Sequence, residues 1–201
     1  MRAWARENGR SLWVATRLML IFTVLLGVIY PLVITGVGQL AFHSQVNGSL
    51  LRNKDGQVVG STLIGQQFAD ADGKPMPQYF QPRPSAVDYN AGTSGGSNRG
   101  PEDPELIAKI AELKAQIAAF NGVPASDVPP DAVTASGSGL DPDISVAYAR
   151  IQINRVAAAR GLAVDVVTAL VDRYTEAPDL GYIGEYRVNV VRLNLALDEL
   201  Q

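Results

Sequence analysis

Apolar positions fall into one unbroken block near the N-terminus and several periodic ones after it. From Leu18 to Phe42 no charged side chain interrupts the run LMLIFTVLLGVIYPLVITGVGQLAF. At about 1.5 Å per residue, roughly 20 helical residues cross a hydrocarbon core of about 30 Å, so 18–42 predicts a transmembrane helix. The run is apolar on every face, unlike a surface helix of a soluble protein. It is too long for a cleaved signal peptide, and its end, Gln39-Leu40-Ala41-Phe42, offers no small-x-small exit. Gly27, Pro31, Gly36 and Gly38 are tolerable in such a helix. Pro31 removes an amide donor, which predicts a kink near 27–31. Tyr30 lies mid-span, facing either protein or lipid.

Beyond the block the periods change. Asn47-Gly48 reads as a turn, and Asp55-Gly56 as a hairpin turn between Leu50-Leu51 and Val58-Val59. Residues 70–102 are rich in Gly, Pro, Ser, Asn and Asp, so they read as a long loop; Tyr79, Phe80 and Tyr89 inside it suit a loop wrapped on something. Leu106, Ile110, Leu113, Ile117 and Phe120 then recur at steps of four and three, one helical stripe. Asp103 suits its N-cap, Pro104 its first position, and Asn121-Gly122 its end. Glu105 and Lys109 predict an i,i+4 pair. Asp141-Pro142-Asp143 repeats the same opening, for a helix with Ile144, Tyr148 and Ile151 on its apolar face and Gly161 at its end. A third helix is expected over 164–174, burying Val167, Leu170, Val171 and Tyr174. Residues 187–200 fit a strand by alternation and a helix by spacing; their length favours helix, with Asn189 as its cap. The fold class expected is one N-terminal transmembrane helix plus a soluble α+β domain, helix-rich with a few short strands.

Charge orients the anchor. Arg2, Arg6, Arg10 and Arg17 precede the block against a single Glu7, while the whole chain carries −3, so the rest is acidic. The positive-inside rule makes 1–17 a cytoplasmic stub, 18–42 the span and 43–201 an extracytoplasmic domain. An acidic domain is poorly suited to nucleic acid. With no cysteine, disulfides, thiolate metal sites and cysteine nucleophiles are excluded. His43, the only histidine, falls at the outer edge of the span.

Candidate chemistry is sparse. Ser94, Gly95, Gly96 and Ser97 could cradle a phosphate on backbone amides, but no Gly-Lys-Ser/Thr follows, and the next helix starts well beyond. The alternative is a wrapped loop. Thr134 through Leu140, TASGSGL, does not meet the nucleophile-elbow pattern and has no histidine nearby, so it reads as a structural turn. Asp141 and Asp143 are a conceivable cation pair without a third acidic ligand; helix capping accounts for both. Glu176, Asp179 and Glu185 lie in a turn-rich stretch, where nothing selects an acid–base pair over a solvated loop. No catalytic residue and no metal ligand is assigned.

Several stretches together resemble a known family. They are Tyr79 through Ala86 (YFQPRPSA), Ser94 through Asn98 (SGGSN), Thr134 through Ser145 (TASGSGLDPDIS), Arg155 through Leu162 (RVAAARGL), Gly181 through Leu197, and, in the anchor, Tyr30 through Gly36 (YPLVITG). The chain resembles the C subunit of the bacterial Kdp potassium-transporting ATPase. Tyr174 stands where that family often has histidine, and Tyr186 where proline is common. The resemblance implies a non-catalytic accessory subunit of an ATP-driven, high-affinity potassium uptake complex in the bacterial inner membrane. Its implied partners are a channel-like potassium-translocating subunit, a P-type subunit that hydrolyses ATP, and a small subunit. The family's C subunit is thought necessary for assembly and has been proposed as a catalytic chaperone that raises ATP affinity. A cytoplasmic ATP sits awkwardly with an extracytoplasmic domain, so assembly is the expected role. The alternative is a membrane-anchored periplasmic enzyme or a free-standing binding protein.

Overall fold

The structure, a computed structural model, describes residues 2–200, with side chains from residue 9 onward. Met1, Gln201 and the side chains of Arg2, Arg6 and Glu7 in the arginine-rich flank lie outside the described residues. The chain divides into two compact units, 1–49 and 50–201.

The first unit is helical. Helix α1 (Arg2–Val24) passes through a π turn (Leu25–Ile29) into α2 (Tyr30–Ala41). The stretch Gly9–Ala41 is 33 residues long, unburied, and apolar enough to cross a membrane. Pro31 has no amide to donate to the carbonyl four residues back. Just before it the ladder widens, the Tyr30 amide bonding to the Leu25 carbonyl. The irregularity expected near 27–31 is thus a π turn, one of the recognised causes of helix bending. After Phe42 a short helix, α3 (His43–Val46), folds back so that Val46 packs on Gly38, where a Cβ would come within 2.7 Å of its side chain.

The second unit begins with the expected hairpin, β1 (Leu50–Arg52) antiparallel to β2 (Val58–Ser61). Its turn is organised by Asn53, whose Oδ1 accepts from the amides of Asp55 (3.1 Å) and Gln57 (2.9 Å). Residues 62–103 contain no helix or strand and wrap the domain as a strap. Helix α4 (Pro104–Asn121) follows, capped as expected: Asp103 accepts from the Glu105 and Leu106 amides, and Gly122 is left-handed at φ +66°. The short α5 (Pro130–Val133), β3 (Asp143–Ser145), α6 (Val146–Arg160), α7 (Val164–Arg173), β4 (Thr175–Glu176), β5 (Arg187–Asn189) and α8 (Val190–Asp198) complete the fold. The strands β3, β5 and β4 form an antiparallel sheet in that order, with Ile144 and Thr175 both opposite Val188. Phe80, Val156, Val167, Val171, Val188, Leu193 and Leu197 are fully buried at the centre.

Three expectations need correction. Asp141 and Asp143 do not cap a helix. Asp143–Ser145 is drawn into the sheet by pairing with β5, and the N-cap is Ser145, whose hydroxyl accepts from the Tyr148 amide at 3.0 Å. Asp141 instead accepts from the Asp143 amide (3.0 Å) and from Arg83 (2.8 Å). Glu105 does not pair with Lys109, because Arg99 reaches Glu105 at 2.5 Å and Lys109 turns to Glu112 at 3.2 Å. Residues 187–200 are both strand and helix: alternation holds through β5, then Asn189 caps α8 by accepting from the Arg192 amide.

Candidate functional site

The strap carries two of the stretches that make up the resemblance, YFQPRPSA and SGGSN, and polar side chains from the helices behind it hold it down. Phe80 is inserted into the core, and its peptide group is gripped on both sides: the Phe80 amide donates to Asn194 Oδ1 and Asn194 Nδ2 donates to the Phe80 carbonyl, each at 2.9 Å. The next residue is held the same way, the Gln81 amide donating to Gln152 Oε1 (2.7 Å) and Gln152 Nε2 to the Gln81 carbonyl (3.2 Å). Gln152 and Asn194 are almost wholly buried, so each satisfies backbone groups that would otherwise be stranded. Neither was singled out by sequence. The signal was present: each is a polar residue on the apolar face of its helix, Gln152 one turn after Tyr148 and Asn194 one turn after Val190.

Arginines extend the grip. Arg155 donates to the carbonyls of Pro77 and Tyr79 and to Asn121, and its guanidinium lies 4.4 Å from the Phe120 ring centroid. Burial pulls its pKa down to about 10. Arg160 donates to the Gln78 carbonyl and to Asp198, each at 2.7 Å, and Arg83 ties the strap to Asp141 and the Thr134 carbonyl.

The two glycine-bearing loops meet each other. The Gly95 amide donates to the Ser138 carbonyl at 2.9 Å, and the Ser94 hydroxyl to the same oxygen at 3.2 Å. A Cβ on Gly96 would come within 3.1 Å of the Gly137 carbonyl oxygen, and one on Gly139, at φ +69°, within 2.7 Å of that of Gly95. Small residues are needed here because two backbone segments of the same chain touch. The nearby cation, Arg99, is engaged by Asp103 and Glu105. Ser136, inside TASGSGL, accepts from the Gly139 amide at 2.8 Å, a structural turn. Glu176 binds Arg192 and Arg187, and Asp179 also approaches Arg187. Among the described residues no group of histidine, aspartate and glutamate is arranged to hold a metal ion. A cavity of about 500 Å³ opens between α4 and the strap.

The architecture defines a class: one N-terminal helix long and apolar enough to cross a membrane, followed by a helix-rich domain with a few short strands. Residues 12–199 match the family described as KdpC: K+-transporting ATPase, c chain. The chain is 50% identical over 194 residues to the potassium-transporting ATPase KdpC subunit of Mycobacterium tuberculosis (strain H37Rv), covering 95% of this chain and 99% of the relative. It is 55% identical over 180 residues to that of Caulobacter vibrioides (strain NA1000), covering 89% and 87%. With that of Methylococcus capsulatus it shares 51% over 190 residues, covering 93% and 96%. The chain belongs to the KdpC family, the c chains of K+-transporting ATPases.

Proposed function

We propose that this chain is the assembly subunit of an ATP-driven potassium uptake complex, non-catalytic itself, held in the inner membrane by residues 18–42. ATP hydrolysis belongs to a P-type partner, ion passage to a channel-like one, and a small subunit completes the complex. The near full-length match to relatives named as this subunit carries the reading. The N-terminus is assigned to the cytoplasm, on the arginines at Arg2, Arg6, Arg10 and Arg17, and residues 43–201 to the opposite side.

Assembly is favoured over direct contact with ATP by the state of the Ser94–Ser97 loop. The Gly95 amide is spent on Ser138, and Arg99 is spent on two carboxylates, whereas a triphosphate needs free amides and usually a free cation. Three measurements test this. The tagged chain should co-purify with other subunits of a potassium-transporting complex, and a reporter fused after Gln201 should report an extracytoplasmic location; cytoplasmic reporter activity would reverse the orientation and revive a chaperone acting on ATP. Gly96→Val should lower the yield of complex while leaving the ATP affinity of the purified remainder within about twofold, the change expected when no phosphate contact is lost. Normal yield with a large fall in ATP affinity would transfer the loop to nucleotide binding.

A further inference from the structure

The polar end of the anchor is more ordered than a count of its charges requires. Helix α1 runs unbroken from Arg2 to Val24, so the residues on both sides of Leu18, where the uncharged run begins, share one helical geometry. At 3.6 residues per turn, Arg10, Trp13 and Arg17 fall within an arc of about 60°. Trp13 lies three residues after one arginine and four before the other, so each is its neighbour on the helix surface. All three side chains are exposed, Trp13 at 63%.

These two arginines differ from those of the domain. Arg83, Arg99 and Arg160 are each held by a carboxylate, and Arg155 by backbone carbonyls. Among the described residues, neither Arg10 nor Arg17 has an ion-pair or hydrogen-bond partner. Glu7, whose side chain lies outside the described residues, is the only acid before Asp55. It precedes Arg17 by ten residues, about 15 Å of helix rise, too far along the axis to neutralise it.

Depth fixes the kind of partner. Helical side chains lean toward the N-terminus, so Arg17 reaches back from the edge of the apolar run toward the level of Trp13 and Arg10. Long cationic side chains at a membrane edge extend into the headgroup layer in this way, and tryptophan is enriched in the same layer. Guanidinium groups present paired N–H donors that match a phosphate. Below Arg17 the same face of the helix continues with Leu20, Ile21 and Val24, all exposed and apolar. A free phosphate would leave that strip uncovered; a lipid carries a phosphate and an acyl chain in the same order along the helix.

We propose that Arg10, Trp13 and Arg17 form a binding site for an anionic phospholipid. The phosphate lies between the two guanidinium groups, the glycerol region rests on the Trp13 ring, and an acyl chain follows Leu20, Ile21 and Val24. The proposal rests on the reading of residues 18–42 as a membrane span, and adds a ligand that the span reading does not specify.

The experiment uses the full chain in vesicles of phosphatidylcholine containing about one part in five of phosphatidylglycerol, at about 0.15 M salt. Trp4→Phe leaves Trp13 as the only tryptophan, and its fluorescence is quenched by bromine carried on the acyl chains of one lipid or the other. Brominated phosphatidylglycerol should quench at least fivefold beyond its share of the lipid, the factor that one arginine at an anionic surface supplies. A doubly exchanged variant, Arg10→Ser with Ser11→Arg and Arg17→Thr with Thr16→Arg, keeps composition and charge but turns the arginines about 140° apart. It should insert equally, as brominated phosphatidylcholine reports, and lose the preference at least threefold. An equal preference in both forms would mean diffuse charge attraction and overturn the site. Loss of the preference in about 10 mM inorganic phosphate, well above the usual micromolar to millimolar range of soluble ligands, would make the ligand a soluble anion and overturn the lipid. Quenching by neither lipid would remove the membrane span and the proposal with it. Native mass spectrometry of the purified complex provides the second readout: the unaltered form should retain phosphatidylglycerol and the exchanged form release it. Failure of the exchanged form to assemble, with its lipid preference in vesicles unchanged, would assign the arginines to a partner's carboxylates instead.

Discussion

Single side chains decide whether the strap stays down. Asn194 satisfies both polar groups of the Phe80 peptide in a buried setting. Asn194→Leu keeps the volume and strands both groups, at about 1–3 kcal/mol each. Urea unfolding of the detergent-solubilised chain should show a loss of about 2–5 kcal/mol; a loss below about 0.5 kcal/mol, the level of an ordinary surface change, would show that water replaces the clamp. Glycines in the facing loops are not equivalent. Gly139 combines φ +69° with a carbonyl 2.7 Å from its would-be Cβ, whereas Gly95 meets nothing closer than Val87 at 3.7 Å. Gly139→Ala should therefore cost more than the roughly 1–2 kcal/mol of a left-handed alanine, and Gly95→Ala close to nothing, by the same assay. At this scale the sequence was readable where a residue acts on its neighbours: Asp103 and Asn189 were visible as caps because capping is a local bond. Gln152 and Asn194 act across the fold, and neighbours in sequence do not reveal the carbonyl they hold.

Elements were legible in proportion to their length. The eighteen-residue α4 and the apolar span declare themselves by period, and the hairpin by its Asp55-Gly56 turn. The three-stranded sheet was hidden because its strands are two or three residues long, too short for alternation to show. Asp141-Pro142-Asp143 imitated a helix start for the same reason: the residues favour capping, and a long-range pairing with β5 overrode them. For the span, Leu26→Arg places a cation within the π turn at Leu25–Ile29. Near mid-membrane this costs about 2.5–3.5 kcal/mol on insertion scales. The variant should fail to fractionate with membranes or to assemble; normal assembly would mean that this turn does not lie in an apolar setting.

For the whole molecule, the distribution of acid groups shapes the pH response. Burial, then repulsion from Asp141, raises the Asp143 carboxyl above 3.8, with Arg187 pulling the other way. The folded chain thus holds this proton more tightly than the unfolded one, and between 3.8 and the higher folded value stability falls as pH rises. Carbon-13 titration of Asp143 should give a midpoint above 3.8, and Asp143→Asn should remove that segment of the stability curve. The family was legible from short runs such as TASGSGLDPDIS, and the long apolar helix from its unbroken run, yet SGGSN and TASGSGL were read as loops of unknown attachment. Their attachment to one another, SGGSN against TASGSGL, exists only once the chain is folded.

The strap has a further consequence in time rather than space. Gln152 follows Gln81 by 71 positions and Asn194 follows Phe80 by 114. A ribosome adding about 5–20 residues per second therefore finishes YFQPRP on the order of ten seconds before it finishes the clamp that fastens it. Until α6 is made the strap lacks the bonds from Gln152, Arg155 and Arg160, and only synthesis of α8 supplies the Asn194 clamp on Phe80. A chain stopped at Tyr186 would have the first set of bonds available and lack the last. Limited proteolysis should cut it within 70–102 at least tenfold faster than the complete chain, the ratio expected when a clamp worth a few kcal/mol is missing, whereas equal cutting rates would mean that α6 alone closes the latch.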